Sequence, residues 1–545
     1  MTVLLQAGTA PACFAFGTAA QAPDFMAKPA LDKDLKRLTR LEDATRGTAR
    51  GLVPLSLALL FLVVVGVGTA SFVGVSGSLA IVVAASVVGG YMALNIGAND
   101  VANNMSPAVG SRALHIGLAV AIAAVCEAAG AILAGGDVVA TVSSGIIRPE
   151  LMPSTSAFTT AMLAALLAAA LWINLATWIG APVSTTHSVV GGVLGGGIAM
   201  AGVGAADWSV VMRIVASWVV SPVLGGVIAA SFLLYIKLTI MSVPDPLEQA
   251  RRRVPLLVAI MAGAFTTYLV LKGFSRVWKP PIWVALSMGG AMLLITLFWL
   301  KPVVSRRVKV LQDNQSGVGT LFTIPVICGA ALLSFAHGAN DVANAIGPLA
   351  AIYSSVIEGD IVSVARIPTW ILLTGAFGIA AGLLLYGPKL IRTVGSKITK
   401  LNRIRAFCVT LSAAITVIIA SALGLPVSST HIAIGALFGV GFLREFMANR
   451  RSRSGAGLLV LDTMPLKSTD EGVLPETAGA AGHAATDAAP PAQGNSAEKL
   501  RKRRLVRRSH LLTIVAAWLI TVPVSAGVAA LIALALARSG VPGLG

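Results

Sequence analysis

Asp100 stands in the octapeptide GANDVANN (Gly97 to Asn104), and Asp341 stands in its near copy GANDVANA (Gly338 to Ala345). Each copy follows an apolar run long enough to cross a bilayer. An ionised carboxylate at membrane depth costs roughly 3 kcal/mol or more on insertion scales, so a twice-placed Asp bracketed by amides points to a held cation or proton. If the motif is helical, Asn99, Asp100 and Asn103 share one face, as do Asn340, Asp341 and Asn344. If it is unwound, free carbonyls add ligands. Hard oxygen donors of this kind suit Na+, a protonation site or a divalent cation. The bland reading is that these polar residues glue helices together across a small-residue interface, which the recurrence makes the weaker account.

A second pair carries complementary chemistry. PVSTTH (Pro182 to His187) returns as PVSSTH (Pro426 to His431). The proline lacks an amide hydrogen and ends the preceding helix, so Ser184, Thr185 and Thr186, like Ser428, Ser429 and Thr430, open the next one. Unpaired N–H groups, the positive end of the helix dipole and hydroxyls together make an anion site. Ordinary N-capping by Ser or Thr is the alternative. His187 and His431 close the two motifs and either move a proton, donate to an anion or simply pack. Glu127, alone in an Ala, Val and Gly run, is a proton or cation ligand or the partner of a polar group. His337 precedes the second GAND where the first has Ile96, and no role is read for it or for His115, His483 and His510. Trp172, Trp178, Trp218 and Trp518 read as packing or interfacial residues.

These residues must be positioned by membrane helices. Of the 545 residues 56% are apolar and only 12% charged, and the mean hydropathy is +0.84. Soluble domains carry about 25% charged residues. The net charge of +18 comes from clusters between apolar runs, which are topology signals and exclude a nucleic-acid-binding face. The four cysteines show neither disulfide nor zinc spacing. The opening residues lack the basic segment of a cleaved signal peptide. No nucleophile, base and metal constellation stands apart from the motifs, so no catalytic residue is expected.

Apolar runs number about 12 or 13, and those at 184–203 and 428–443, glycine-rich and short respectively, read as broken or re-entrant. Basic segments fall on one side if Lys28 to Arg50, Arg251 to Arg253, Lys301 to Lys309, Lys389 to Arg405 and Arg444 to Arg508 are all cytoplasmic. The two GAND helices then run in opposite directions. The copies are 241 positions apart for GAND and 244 for PVS, so the halves are inverted repeats in register. Trp218 and Pro222 resemble Trp518 and Pro523 more loosely. The expected organisation is a basic cytoplasmic extension at 1–50, a peripheral first helix at 51–78, a first repeat at 79–240, linking helices and basic loops at 241–318, and a second repeat at 319–443 and 509–545. A disordered basic cytoplasmic loop at 444–508 interrupts the second repeat. The fold class is thus an all-α polytopic membrane protein with inverted repeats and two re-entrant or broken helical hairpins.

At GANDVANN, GANDVANA, VCEAAG (Val125 to Gly130), APVSTTH (Ala181 to His187) and GLPVSSTH (Gly424 to His431) the chain resembles the inorganic phosphate transporter (PiT) family. The resemblance implies symport of inorganic phosphate with Na+ or H+ in the inner (cytoplasmic) membrane, in some bacterial members as a metal-phosphate complex, by a homodimer. It implies no organic cofactor. It makes Asn99, Asp100, Asn103, Asn340, Asp341 and Asn344 ion-site residues, with Na+ at Asp100 and Asp341 one possibility. It makes Ser184 to Thr186 and Ser428 to Thr430 the phosphate hairpins, and Glu127 a transport glutamate. Departures are Asn104 against Ala345, Ser429 against Thr185, and LNRIRAF (Leu401 to Phe407), which lacks an expected proline. A sulfate transporter of the same fold and an anion channel are the rival readings.

Overall fold

The computed structural model describes residues 52–73, 79–179, 183–273, 280–361, 367–397, 401–453 and 508–539. The N-terminal extension, the start of the first PVS motif including Pro182, and most of the 444–508 loop lie outside the described residues. Ala58–Gly545 forms one compact unit, and Met1–Leu57 is divided from it. The described residues are almost wholly helical, which is how a chain in hydrocarbon satisfies its backbone N–H and C=O groups internally.

The elements are α1 (Leu52–Val73), α2 (Leu79–Gly110), α3 (Ile116–Ala134), a short α4 (Gly136–Ala140) with a π turn at Thr141–Gly145, α5 (Thr155–Ile179), α6 (Thr185–Ala201) and α7 (Trp208–Ile236). The linking helices α8 (Pro246–Tyr268) and α9 (Ile282–Val308) follow. The second half holds a short α10 (Gln315–Leu321), α11 (Thr323–Glu358), α12 (Thr369–Lys397), α13 (Arg403–Ala422), α14 (Ser429–Arg453) and α15 (Arg508–Arg538). Twelve helices among the described residues are long and apolar enough to cross a membrane. At 17 residues, α6 falls short, as its glycine-rich sequence leads one to expect. The protein is an all-α, multi-pass membrane protein.

The two halves interlock rather than sit side by side. α2 packs chiefly on α12 and α11 on α3, while α6 packs on α15 and α14 on α7. Glycines make these contacts close. A Cβ on Gly97 would overlap the Ile379 carbonyl of α12, and a Cβ on Gly338 would overlap the Glu127 carbonyl of α3. Gly382 meets the Leu94 carbonyl in the same way that Gly130 meets that of Phe335. Gly195 lies on Ala526 as Gly439 lies on Gly226. Each contact is thus made twice, at matched positions of the two repeats, by the small-residue approach that packs helices in lipid. The pairing also aligns positions that the amino-acid sequence leaves unaligned, for Ile379 takes the place opposite Gly97 that Glu127 takes opposite Gly338.

The helix bounds decide one open alternative and adjust one expectation. The GAND motifs do not end their helices: α2 continues to Gly110 and α11 to Glu358, with Pro107 and Pro348 again 241 positions apart. The backbone carbonyls there stay in the helix, so the side chains are the ligands on offer. The run expected at 428–443 continues as α14 through Arg453, into the stretch assigned to the loop.

Candidate functional site

Asp100 and Asp341 lie at the centre of the interlocked halves, both essentially inaccessible to solvent. Helix periodicity places the flanking amides on the same face, and the hairpins α5–α6 and α13–α14 bring their hydroxyls to that face. Ser184 and Ser428 act as N-caps, their hydroxyls accepting from the His187 and His431 amides at 3.2 and 3.4 Å. Capping therefore occupies the first hydroxyl of each motif, and the next two, Thr185 and Thr186 or Ser429 and Thr430, face the carboxylates and their amides.

The contacts repeat across the halves. Asn99 bonds Thr177 and the Val183 carbonyl, and Asn340 bonds Ser421 and the Leu425 carbonyl. Thr185 Oγ1 donates toward Asp100 Oδ2 at 3.1 Å, and Ser429 Oγ toward Asp341 Oδ2 at 3.4 Å. Asn103 donates to Thr430 Oγ1 at 2.7 Å, and Asn344 to Thr186 Oγ1 at 3.1 Å. Thr185 Oγ1 is also 3.3 Å from Asp341 Oδ2, so one hydroxyl stands between the two acids. The structure brings together every residue that sequence reasoning assigned to the site. It also shows the Thr185, Ser429 and Thr430 hydroxyls donating to the carboxylates.

The mirror relation breaks in one direction. Thr430 Oγ1 donates to Asp100 Oδ1 at 3.0 Å, whereas its counterpart Thr186 donates to the Val427 carbonyl at 3.0 Å. Beside Asp341, the buried His337 puts Nε2 2.9 Å from Asp341 Oδ2 and 3.8 Å from Asp100 Oδ2. Its Nδ1 is 3.2 Å from Glu127 Oε2, and Glu127 Oε1 accepts from Asn104 Nδ2 at 2.8 Å. All three side chains are fully buried. Their mirror positions are Ile96, Ile379 and Ala345, each buried and apolar. These three places where the repeats differ in polarity thus adjoin one another in a row that runs to the acids.

Sequence reasoning gave His337 no role and read Asn104 only as one more oxygen donor of its motif, without its tie to Glu127. The signal was present, since His337 just before the second copy and Asn104 at the end of the first are polar where the other copy is apolar, but only the packing of α3 on α11 shows that they converge on Glu127. His187 and His431 meet with ring centroids 4.7 Å apart, and the edge of Trp218 packs on His187 at 3.7 Å. Trp218 Nε1 donates to the Pro426 carbonyl, so this tryptophan braces the second hairpin from the first half, a more specific task than the packing or anchoring expected of it.

Comparison with known proteins agrees with this architecture. A solved structure of a protein named the sodium-dependent phosphate transporter superposes with a TM-score of 0.69 at 33% identity, covering 83% of this chain and 98% of its own. A Helicobacter pylori protein whose name assigns it as a phosphate permease is 44% identical over 526 residues, or 92% of this chain and 98% of the relative. The chloroplastic inorganic phosphate transporter 2-1 of Arabidopsis thaliana is 39% identical over 384 residues, 65% of each chain. The model of the phosphate transporter family matches residues 96–529. By that match and by these relatives the chain belongs to the phosphate transporter family, a family of membrane transporters and not of enzymes.

Proposed function

We propose that the protein is a symporter that carries inorganic phosphate across the cytoplasmic membrane with a coupling cation, Na+ in the first place and H+ as the alternative. The basic segments support a cytoplasmic N-terminus. The observation that carries the reading is the convergence of Asp100 and Asp341 on shared hydroxyls, with Thr185 between them. The sodium dependence in the name of the solved relative supports Na+ as the partner.

The geometry offers a physical basis for coupling. A hydroxyl has one proton to donate. While Thr185, Ser429 and Thr430 donate to carboxylates, they turn lone pairs toward any incoming oxyanion. A cation that takes over the carboxylates frees these protons to rotate toward phosphate, and its charge offsets that of the anion. Bare phosphate meets both negative charge and misdirected donors. Transport of either ion therefore requires the other, and alternating access around a central site carries them together.

Labelled phosphate uptake into proteoliposomes, with the Na+ gradient, the pH gradient and competing sulfate varied separately, tests this reading. Accumulation that follows the Na+ gradient and resists sulfate supports it. Accumulation that follows only the pH gradient replaces Na+ with H+, and flux that merely equilibrates phosphate makes the protein a channel.

A further inference from the structure

The two acids at the centre are not equivalent. Asp100 is saturated: Asn99, Asn103 and Thr430 lie 3.2, 3.2 and 3.0 Å from Oδ1, and Thr185 lies 3.1 Å from Oδ2. Asp341 takes its hydroxyl donors on Oδ2, from Thr185 and Ser429, and His337 Nε2 lies 2.9 Å from the same oxygen. Its Oδ1 is fully buried without a hydrogen-bond partner. Asn344 Oδ1, three residues on and on the same face of α11, is likewise buried and without a partner. Buried acceptors left without a donor are costly, about 1–3 kcal/mol for a neutral group and more for a charged one. Two bare hard oxygens from one helix face, one of them anionic, are donors of the kind a small hard cation takes.

The cause lies in the polar chain that breaks the mirror. His337 and Ser429 engage one side of the Asp341 carboxylate, and Glu127, itself bonded to Asn104, sits behind His337. Thr186, the residue that by symmetry belongs on Asp341 Oδ1, bonds the Val427 carbonyl instead. Beside the first GAND motif, Ile96 and the Ile379 packed against it supply no such chain, and Thr430 fills Asp100 Oδ1.

We propose that the two halves take up cations in a fixed order, with Na+ binding first through Asp341 Oδ1 and Asn344 Oδ1 while phosphate is absent. Asp100 becomes a cation ligand only when the Thr430 and Thr185 hydroxyls turn to the oxyanion. His337, Glu127 and Asn104 are positioning residues that keep one oxygen of Asp341 open. This ordering rests on the symport reading and adds to it which half is filled first.

The test is Na+ binding by the purified full-length protein without phosphate, measured as 22Na+ retention and as Na+-dependent thermal stabilisation against choline. Asn344→Ala and the near-isosteric Asp341→Asn should raise the half-saturating Na+ about tenfold or more, the loss expected of a removed charged or amide ligand. Asn103→Ala and Asp100→Asn should shift it less than about twofold in the absence of phosphate, on the same reasoning that their partners are already satisfied. Adding phosphate should expose a Na+ dependence that Asp100→Asn lacks. His337→Ile, which copies the first half, should weaken phosphate-free Na+ binding, and His337→Gln should restore part of it. Equal shifts in both halves, a larger effect from Asp100, or no phosphate-free Na+ response in the wild type overturns the order. Uptake driven by Na+ together with equal shifts would sink the order and leave the symport reading standing.

Discussion

The tips of the two hairpins carry nearly the same residues and meet at the same centre, yet their surroundings differ. The α13–α14 tip is tethered by the segment after α3: Thr141 donates to the Gly424 carbonyl at 2.7 Å, and Lys272 bridges Asp137 at 2.6 Å and the Ala422 carbonyl at 3.1 Å. Near the α5–α6 tip Trp178 is 82% exposed where its counterpart Ala422 is half-buried, while Ile179 and its counterpart Leu423 are alike exposed, at 62% and 69%. The connection from α3 to α5 contains a short helix and a π turn, while that from α12 to α13 spans only 398–402. The hairpins thus differ in the tether at the α13–α14 tip rather than in the core they share.

Replacing the acids should break the symmetric core outright. Asp100→Asn and Asp341→Asn each are expected to abolish concentrative phosphate uptake with expression intact, since uptake needs both halves. Near-normal uptake by both would separate the acids from transport. Almost as severe is the loss of close packing. Gly338→Ala puts a methyl group onto the Glu127 carbonyl, a backbone atom that cannot step aside, and Gly97→Ala does the same at Ile379. Both should lower the midpoint of thermal unfolding in detergent by several degrees and reduce folded yield, in keeping with a penalty of about 1–3 kcal/mol for overpacking. A surface glycine without neighbours, Gly117, provides the control and should change neither.

The hairpin hydroxyls should give graded effects. Thr186→Ala and Thr430→Ala are expected to raise the half-saturating phosphate concentration about tenfold, as befits a lost hydrogen bond to a charged ligand, with a smaller change in maximal rate. Unchanged kinetics would reduce these residues to helix starts. The tether should matter less. Lys272→Met and Asp137→Asn remove a half-exposed pair worth about 0–1 kcal/mol, so maleimide labelling at Leu423→Cys should quicken no more than about fivefold while uptake persists.

Smallest of all is the ion pair beside the same connection. Asp207 caps α7 through Ser209 and Val210 and lies 3.7 Å from Arg148. The Ser209 hydroxyl, then the Val210 amide, holds its carboxyl below the usual carboxylate range. A lowered folded pKa contributes stability above the unfolded pKa and loses it as the pH falls through the folded one. Asp207→Ala should therefore destabilise modestly at neutral pH, by about 1 kcal/mol for a lost cap, and hardly at all in strong acid. A deficit that persists at low pH would point to another role.

Much of this is legible in the amino acids alone, because membrane helices announce themselves by length and because inverted repeats write each functional motif twice. GAND and PVS can be placed in opposite halves and assigned opposite ions from residue types. What a single amino-acid sequence conceals is chemistry carried by residues that occur once. Glu127 stands out as a lone acid in an apolar run, but His337 has no polar repeat partner to draw attention to it, and the meeting of the two with Asn104 depends on α3 of one half packing against α11 of the other. Helix ends are likewise obscured: buried Asn and Asp look like breakers, yet here their side chains find partners across the bundle and the helix continues. Nor does the spacing of hydroxyls say which acceptor each one chooses, and that choice is what distinguishes Asp100 from Asp341.

Coupling through the paired acids is probed most directly by the initial rate of labelled phosphate entry into proteoliposomes under an inward Na+ gradient, compared for the wild type, Asp100→Asn and Asp341→Asn. Uphill, Na+-dependent accumulation is expected of the wild type and none of either variant. Accumulation that ignores Na+, or that survives both substitutions, would show that the acids do not couple the two ions.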